Sequence, residues 1–202
     1  MLSLENSLKE YSKFTDFINN YISGKRSKSL LEFFGERELT LSSSPYSVKD
    51  EGVGSYPGGY IVTVNKLVET SLVMDKVWER FGYKKSYTID ELVFSAITCE
   101  IGKLGTNDEP FFLKNDNSWE VEKRGLLYKY NPKYTNFKYS DGSIFLLQSN
   151  GIPVSENEFM AIKLYGSVCD EDNSHYYRLE NQPKSNLFRI LNQAREIVLN
   201  IK

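Results

Sequence analysis

At 202 residues and 23.3 kDa the chain suits one domain with a small N-terminal addition, and it is long enough to bury a substantial core. A formal net charge of -2 removes the electrostatic basis for general nucleic-acid binding, and charges interrupt the apolar stretches well before the ~18 residues that a membrane span requires. Aromatic side chains make up 14% of the chain, mostly Tyr and Phe, so a ring-rich core or binding surface is expected.

In chain order, Leu4, Leu8, Tyr11, Phe14, Ile18 and Tyr21 recur every three to four residues, predicting an amphipathic helix over 4–22. Gly24-Lys25-Arg26-Ser27 reads as a break, with a short second helix over 30–34. Residues 41–59 collect Ser, Pro and Gly and read as a long loop of the kind that builds site walls. Ile61, Val64, Leu67, Val68, Leu72, Met74 and Trp78 then mark a long, central helix that stops at Gly82. Thr88 and Glu91 form a capping-box pattern for the next helix, which runs into Cys99-Glu100. After an Asn- and Asp-rich loop over 106–118, helices are expected over 119–128 and 141–148. Ser155 with Glu158 opens another helix to 165, and a last one runs from 185 to the end. No alternating strand series or repeat stands out, and the architecture is predicted to be all-α.

Two charges interrupt apolar helical stripes: Glu100 lies with Val93, Ile97 and Leu104, and Arg195 with Phe188, Leu191 and Val198. Each needs a partner, a wet cavity, or a position at the stripe edge from which it reaches water. Cys169 and His175, the one histidine, flank Asp170, Glu171 and Asp172, but this spacing matches no zinc signature and reads as a solvated acidic loop. Cys99 has no histidine base nearby in sequence and reads as a small core residue rather than a nucleophile. Neither cysteine belongs to a CxxC pair and no cationic-then-apolar leader opens the sequence, so a reducing cytoplasm is expected. Gly58-Gly59 lacks the Walker lysine and the GxGxxG spacing, and reads as a helix-entry turn. The stretch 128–139 interleaves tyrosines with Lys129, Lys133 and Lys138; a structural aromatic cluster is favoured there over base stacking.

Several ordered segments together resemble the HD-domain phosphohydrolase superfamily over residues 35–202, especially the compact HD proteins of tailed phages and bacteria. They are Ser55-Tyr56-Pro57-Gly58-Gly59-Tyr60, Ile101-Gly102-Lys103-Leu104-Gly105, and Asn115-Asp116 with Trp119, Gly125 and Tyr128-Lys129-Tyr130-Asn131. Ser143-Ile144-Phe145-Leu146-Leu147-Gln148, Gly151-Ile152-Pro153 and Asn192-Gln193-Ala194 complete the series. The resemblance implies a helical HD-like domain over 35–202 behind an N-terminal helical extension over 1–34. It also implies that four metal-ligand positions are altered, with Thr63 for a histidine, Cys99-Glu100 for the His-Asp pair and Arg195 for a final aspartate. Gly142 replaces an arginine and Gly166 stands where an Asp-Gly usually begins, while Lys103 survives, either as an anion contact or as a complement to the helix dipole. The vestigial pocket would hold Thr63, Cys99, Glu100, Lys103, Gly142, Gly166, Asn192 and Arg195.

A divalent ion would polarise phosphate and acidify a bound water; a threonine hydroxyl is a poor ligand for it and a guanidinium repels it. The expectation is therefore a pseudo-phosphohydrolase with no metal, no cofactor and no catalytic residue. Its role would be binding or regulation, with a protein as the favoured partner and a nucleotide as the second choice. The phage-like resemblance implies a host-cytoplasm setting in host takeover, counter-defence or phage assembly. The competing expectations are a divergent phosphohydrolase with a site rebuilt on Cys99, Glu100 and Lys103, and a nucleotide sensor or sponge. Arg195 and Glu100 are expected to face one another as a salt bridge or across one water.

Overall fold

Residues 3–106, 109–134, 138–166, 173, 176 and 185–200 are described by a computed structural model of the chain. Cys169, Asp170, Glu171, Asp172 and His175 lie outside the described residues. The protein is all-α in class, and among the described residues no helix is long and apolar enough to cross a membrane.

Helix α1 (Leu4–Tyr21) is capped by the Ser3 side chain, which accepts from the Asn6 amide, and it turns Phe14 and Ile18 inward. Helix α2 (Gly24–Gly35) begins a turn and a half earlier than its apolar pattern implies. Arg26 explains the early start. Its guanidinium donates to Glu158 at 2.6 Å and to Asp90, and it lies 4.3 Å from the Phe94 ring centroid, so residues read as a break are held in the first turn by long-range contacts.

A six-residue helix, α3 (Glu38–Ser43), occupies the start of the expected 41–59 loop and buries Leu41. The loop proper spans 44–58. It folds back on itself, with the Tyr46 amide donating to the Gly54 carbonyl and the Tyr60 amide to the Ser44 carbonyl. Helix α4 (Gly59–Arg80) follows Gly58, which sits in the left-handed region at φ 84°. Gly59 itself has no room for a side chain, because a Cβ there would lie 2.0 Å from the Gly54 carbonyl oxygen.

Both capping boxes form. Thr88 and Glu91 open α5 (Ile89–Thr98), and Ser155 and Glu158 open α8 (Glu156–Lys163). After α5 the chain tightens into a 3-10 turn, Ile101–Leu104. The helix expected over 119–128 is shorter: α6 (Ser118–Arg124) is capped by Asn117 and stopped by Gly125 at φ 61°. Its expected last residue, Tyr128, instead opens strand β2 (Tyr128–Tyr130), which runs antiparallel to β1 (Phe112–Lys114), with Phe112 opposite Tyr130 and Lys114 opposite Tyr128. Helix α7 (Tyr139–Ser149) packs on the 3-10 turn, and α9 (Leu187–Asn200) packs on α4 and α8.

Helix α4 is central, contacted by α1, α3, α5 and α9. Phe14, Ile18, Leu30, Phe33 and Phe34 of the N-terminal helices join Tyr60, Ile61, Leu67, Val93, Phe94, Ile97 and Leu191 in one continuous core. The ends of α4, α5 and α9 therefore meet beside the 44–58 loop and the hairpin, and this junction carries Thr63, Cys99, Glu100, Lys103 and Arg195.

Candidate functional site

The floor of the junction is a buried ion pair. A 3-10 turn repeats every three residues, so Glu100 at its entrance and Lys103 within it lie one above the other. Lys103 Nζ approaches Glu100 Oε1 to 2.6 Å, and both side chains are almost wholly buried. The ammonium also lies 3.7 Å from the Tyr46 ring centroid and 5.0 Å from that of Tyr139, so two aromatic faces supply part of what water would have given it. Glu100 Oε2 and the Tyr60 hydroxyl, both buried, have no hydrogen-bond partner among the described residues.

Electrostatics around this pair favour protonated neighbours. Burial first, and the negative Glu100 second, push the Tyr46 and Tyr60 hydroxyls well above their ordinary values. The Tyr165 hydroxyl is raised by burial and then by Tyr46 and Glu100. The same burial and the same carboxylate hold the Cys99 thiol far above the usual range, and its Sγ sits 3.5 Å from the Ala96 carbonyl. Cys99 is thus a protonated core thiol, suited to neither nucleophilic attack nor thiolate ligation.

Thr63 is buried on α4, with its hydroxyl donating to the Gly59 carbonyl at 2.7 Å; Gly54, against which it packs, also abuts Tyr46. Arg195 on α9 reaches the same place from the opposite side, with its guanidinium 5.7 Å from the Tyr165 ring centroid. Burial pulls its pKa down, but Tyr165, Tyr46 and Glu100 more than offset this and leave it raised. The expected Arg195–Glu100 salt bridge does not form. Glu100 is taken by Lys103, its neighbour in the 3-10 turn, and Arg195 pairs with Glu196 at 2.9 Å.

Asn192 and Gly166 set the position of Arg195. The Asn192 side chain accepts from the Gly166 amide at 2.8 Å and donates to the Leu164 and Phe188 carbonyls, holding the turn after α8 against α9. Gly166 lies so close to the guanidinium that a Cβ would come 2.9 Å from Arg195 Nε. Gly142 sits elsewhere, in the contact between α7 and the 3-10 turn, where a Cβ would lie 3.5 Å from the Gly102 Cα. The Ser143 hydroxyl locks that contact, accepting from the Gly102 amide at 3.0 Å.

Above the floor opens a cleft of about 310 Å³ lined by Tyr46, Ser47, Val48, Lys49, Gly52, Val53, Lys103, Phe112, Tyr130, Tyr139, Arg195 and Leu199. Its walls are the 44–58 loop, the β1–β2 hairpin and α9. The sequence marks the tyrosines of 128–139, two of which, Tyr130 and Tyr139, line the cleft, but it gives no sign of Tyr46 or Phe112 there; Tyr46 and Tyr130 reach the cleft only through a loop fold-back and a hairpin. Among the described residues no three His, Cys, Asp or Glu side chains gather as a metal centre would require, and the groups that do converge do not fit a divalent ion. Comparison with known proteins finds no matching family model, no matching curated protein and no matching solved structure.

Proposed function

We propose that the chain is a catalytically inactive, HD-like helical protein serving as a binding or regulatory module, with a protein partner and a setting in the cytoplasm of a phage-infected cell. One observation carries the reading: the place where Thr63, Cys99, Glu100 and Arg195 converge holds a buried Glu100–Lys103 pair under tyrosine cover. A metal-activated hydroxide needs several acceptor ligands and an open coordination position. Here the carboxylate is neutralised by an ammonium, the thiol keeps its proton, and the remaining charge is a guanidinium with no acceptor atom.

The test is turnover. Protein purified without chelator and supplied with Mg2+, Mn2+, Zn2+ or Ni2+ is expected to leave nucleotides and model phosphoesters unhydrolysed above background. Hydrolysis that disappears in Glu100→Gln would overturn the reading in favour of a rebuilt phosphohydrolase. A second reading, a sensor or sponge for a nucleotide, is favoured by the cations and rings around the cleft.

A further inference from the structure

We infer that the cleft between the hairpin, the 44–58 loop and α9 binds a small ligand made of one planar aromatic ring and one anionic group. The inference rests on the non-catalytic reading above and goes further by naming the ligand chemistry. Among the described residues, three cationic side chains line the cleft, Lys49, Lys103 and Arg195, and no carboxylate does. Lys103 is committed to Glu100 and nearly buried, so it contributes field rather than contact. Arg195 differs: its side chain is 27% exposed and its inner edge is backed against Gly166, so the planar fork is oriented before a ligand arrives. Its present partner, Glu196, is an exposed neighbour in sequence, and a pair of that kind is worth little and is readily exchanged for a better acceptor.

The ring-binding half is the hairpin. Antiparallel pairing puts Phe112 and Tyr130 opposite one another on one face, with centroids 5.6 Å apart. Phe112 is buried, whereas Tyr130 is 53% exposed and lines the cleft. Size decides how much ligand fits. Small-molecule sites run from roughly 300 to 1,000 Å³, and about 310 Å³ is the low end, suited to one ring with one charged group rather than to a polynucleotide strand. A nucleoside monophosphate and an aromatic carboxylate share this chemistry.

Calorimetry on the full chain tests it with adenosine 5′-monophosphate, adenosine, inorganic phosphate and indole-3-carboxylate. The expected result is that at least one of the two ring-plus-anion ligands binds about tenfold or more tighter than adenosine or phosphate alone, and which one binds identifies the source of the anion. Tyr130→Ala should weaken that ligand roughly 5- to 150-fold, the range for loss of one stacking ring. Arg195→Gln should remove its advantage over the uncharged ring. Glu196→Gln, which frees the guanidinium, should tighten binding. Thermal melts check that each variant is folded, and Arg195→Lys, keeping the charge without the fork, replaces Arg195→Gln if that variant is not. The inference is overturned if neither ring-plus-anion ligand binds at millimolar concentration, or if binding is indifferent to Tyr130 and Arg195. Release of phosphate from the bound monophosphate would instead overturn the non-catalytic reading and leave the cleft assignment standing.

Discussion

Cys99 and its tyrosine neighbours give the site an alkaline weakness that can be measured. An acid whose pKa is raised by folding keeps its proton in the native state and loses it in the unfolded one, so stability is intact below the unfolded value and falls as pH rises past it. For Cys99 that decline starts near pH ~8.5, and for Tyr46, Tyr60 and Tyr165 near ~10, at up to about 1.4 kcal/mol per group per pH unit. Denaturation midpoints from pH 7 to 11 should therefore fall with a slope that steepens above ~10, and Cys99→Ala should remove only the earlier part. A native protein whose Cys99 reacts with iodoacetamide as fast as free cysteine would contradict this account. Next to it, the Glu100–Lys103 pair predicts a non-additive cycle. Lys103→Met strands a buried carboxylate at a cost of roughly 3–5 kcal/mol, and adding Glu100→Gln should recover part of that loss in urea denaturation. Sequence periodicity identified Glu100 as a charge in need of a partner, and the family resemblance, not the periodicity, sent it to Arg195. A helical wheel assumes that α5 continues; the switch to a 3-10 turn brings residues three apart together and gives Glu100 a nearer cation.

Elements whose formation depends on local hydrogen bonds were the ones legible in the chain. Thr88 with Glu91 and Ser155 with Glu158 define their helix starts within four residues, and both boxes form as read. The β1–β2 hairpin is the contrary case. Its strands are three residues each, too short for alternation to register, and they pair after α6 between them has ended at Gly125. Helix α2 was under-read for a related reason, since Arg26 is held by Asp90 and Glu158, distant residues that no local pattern reports. The contact between α7 and the 3-10 turn offers a paired prediction. Gly102→Ala would put a Cβ 2.4 Å from the Tyr139 carbonyl oxygen, forcing the helix away at about 1–3 kcal/mol. Gly142→Ala, in the same contact, meets only ordinary van der Waals distance at 3.5 Å from the Gly102 Cα, and should stabilise α7 by about 0.5–1 kcal/mol. Thermal denaturation of the two variants should move in opposite directions.

At the scale of the molecule, the core passes without interruption from α1 and α2 into α4 and α5. Phe14 and Phe34 meet edge to face at 4.8 Å, and both are fully buried. Removing residues 1–34 strips several such side chains from the core, each worth about 1.5–3 kcal/mol of burial, which together exceed the margin of a typical domain. The truncated chain should lack a cooperative thermal transition; a folded 35–202 fragment would show the N-terminal helices to be dispensable. The walls of the cleft are built differently from this core. The loop and hairpin are joined by main-chain bonds between segments far apart in sequence, Asp50 to Gly125 at 2.7 Å and Tyr128 to Val48 at 3.2 Å, and α6 beside them buries no residue. Sparse burial lowers the free energy of local opening, so the Asp50 and Tyr128 amides should exchange with deuterium faster than those of Val64 and Leu67 in the middle of α4. The cleft is then competent to bind only for the fraction of time that its walls are closed, and measured affinity is scaled by that fraction. A change that stiffens the joint between the loop and the hairpin without touching any cleft contact would tighten binding, and a change in solvent that loosens the hairpin would release the ligand while the helical core stays folded.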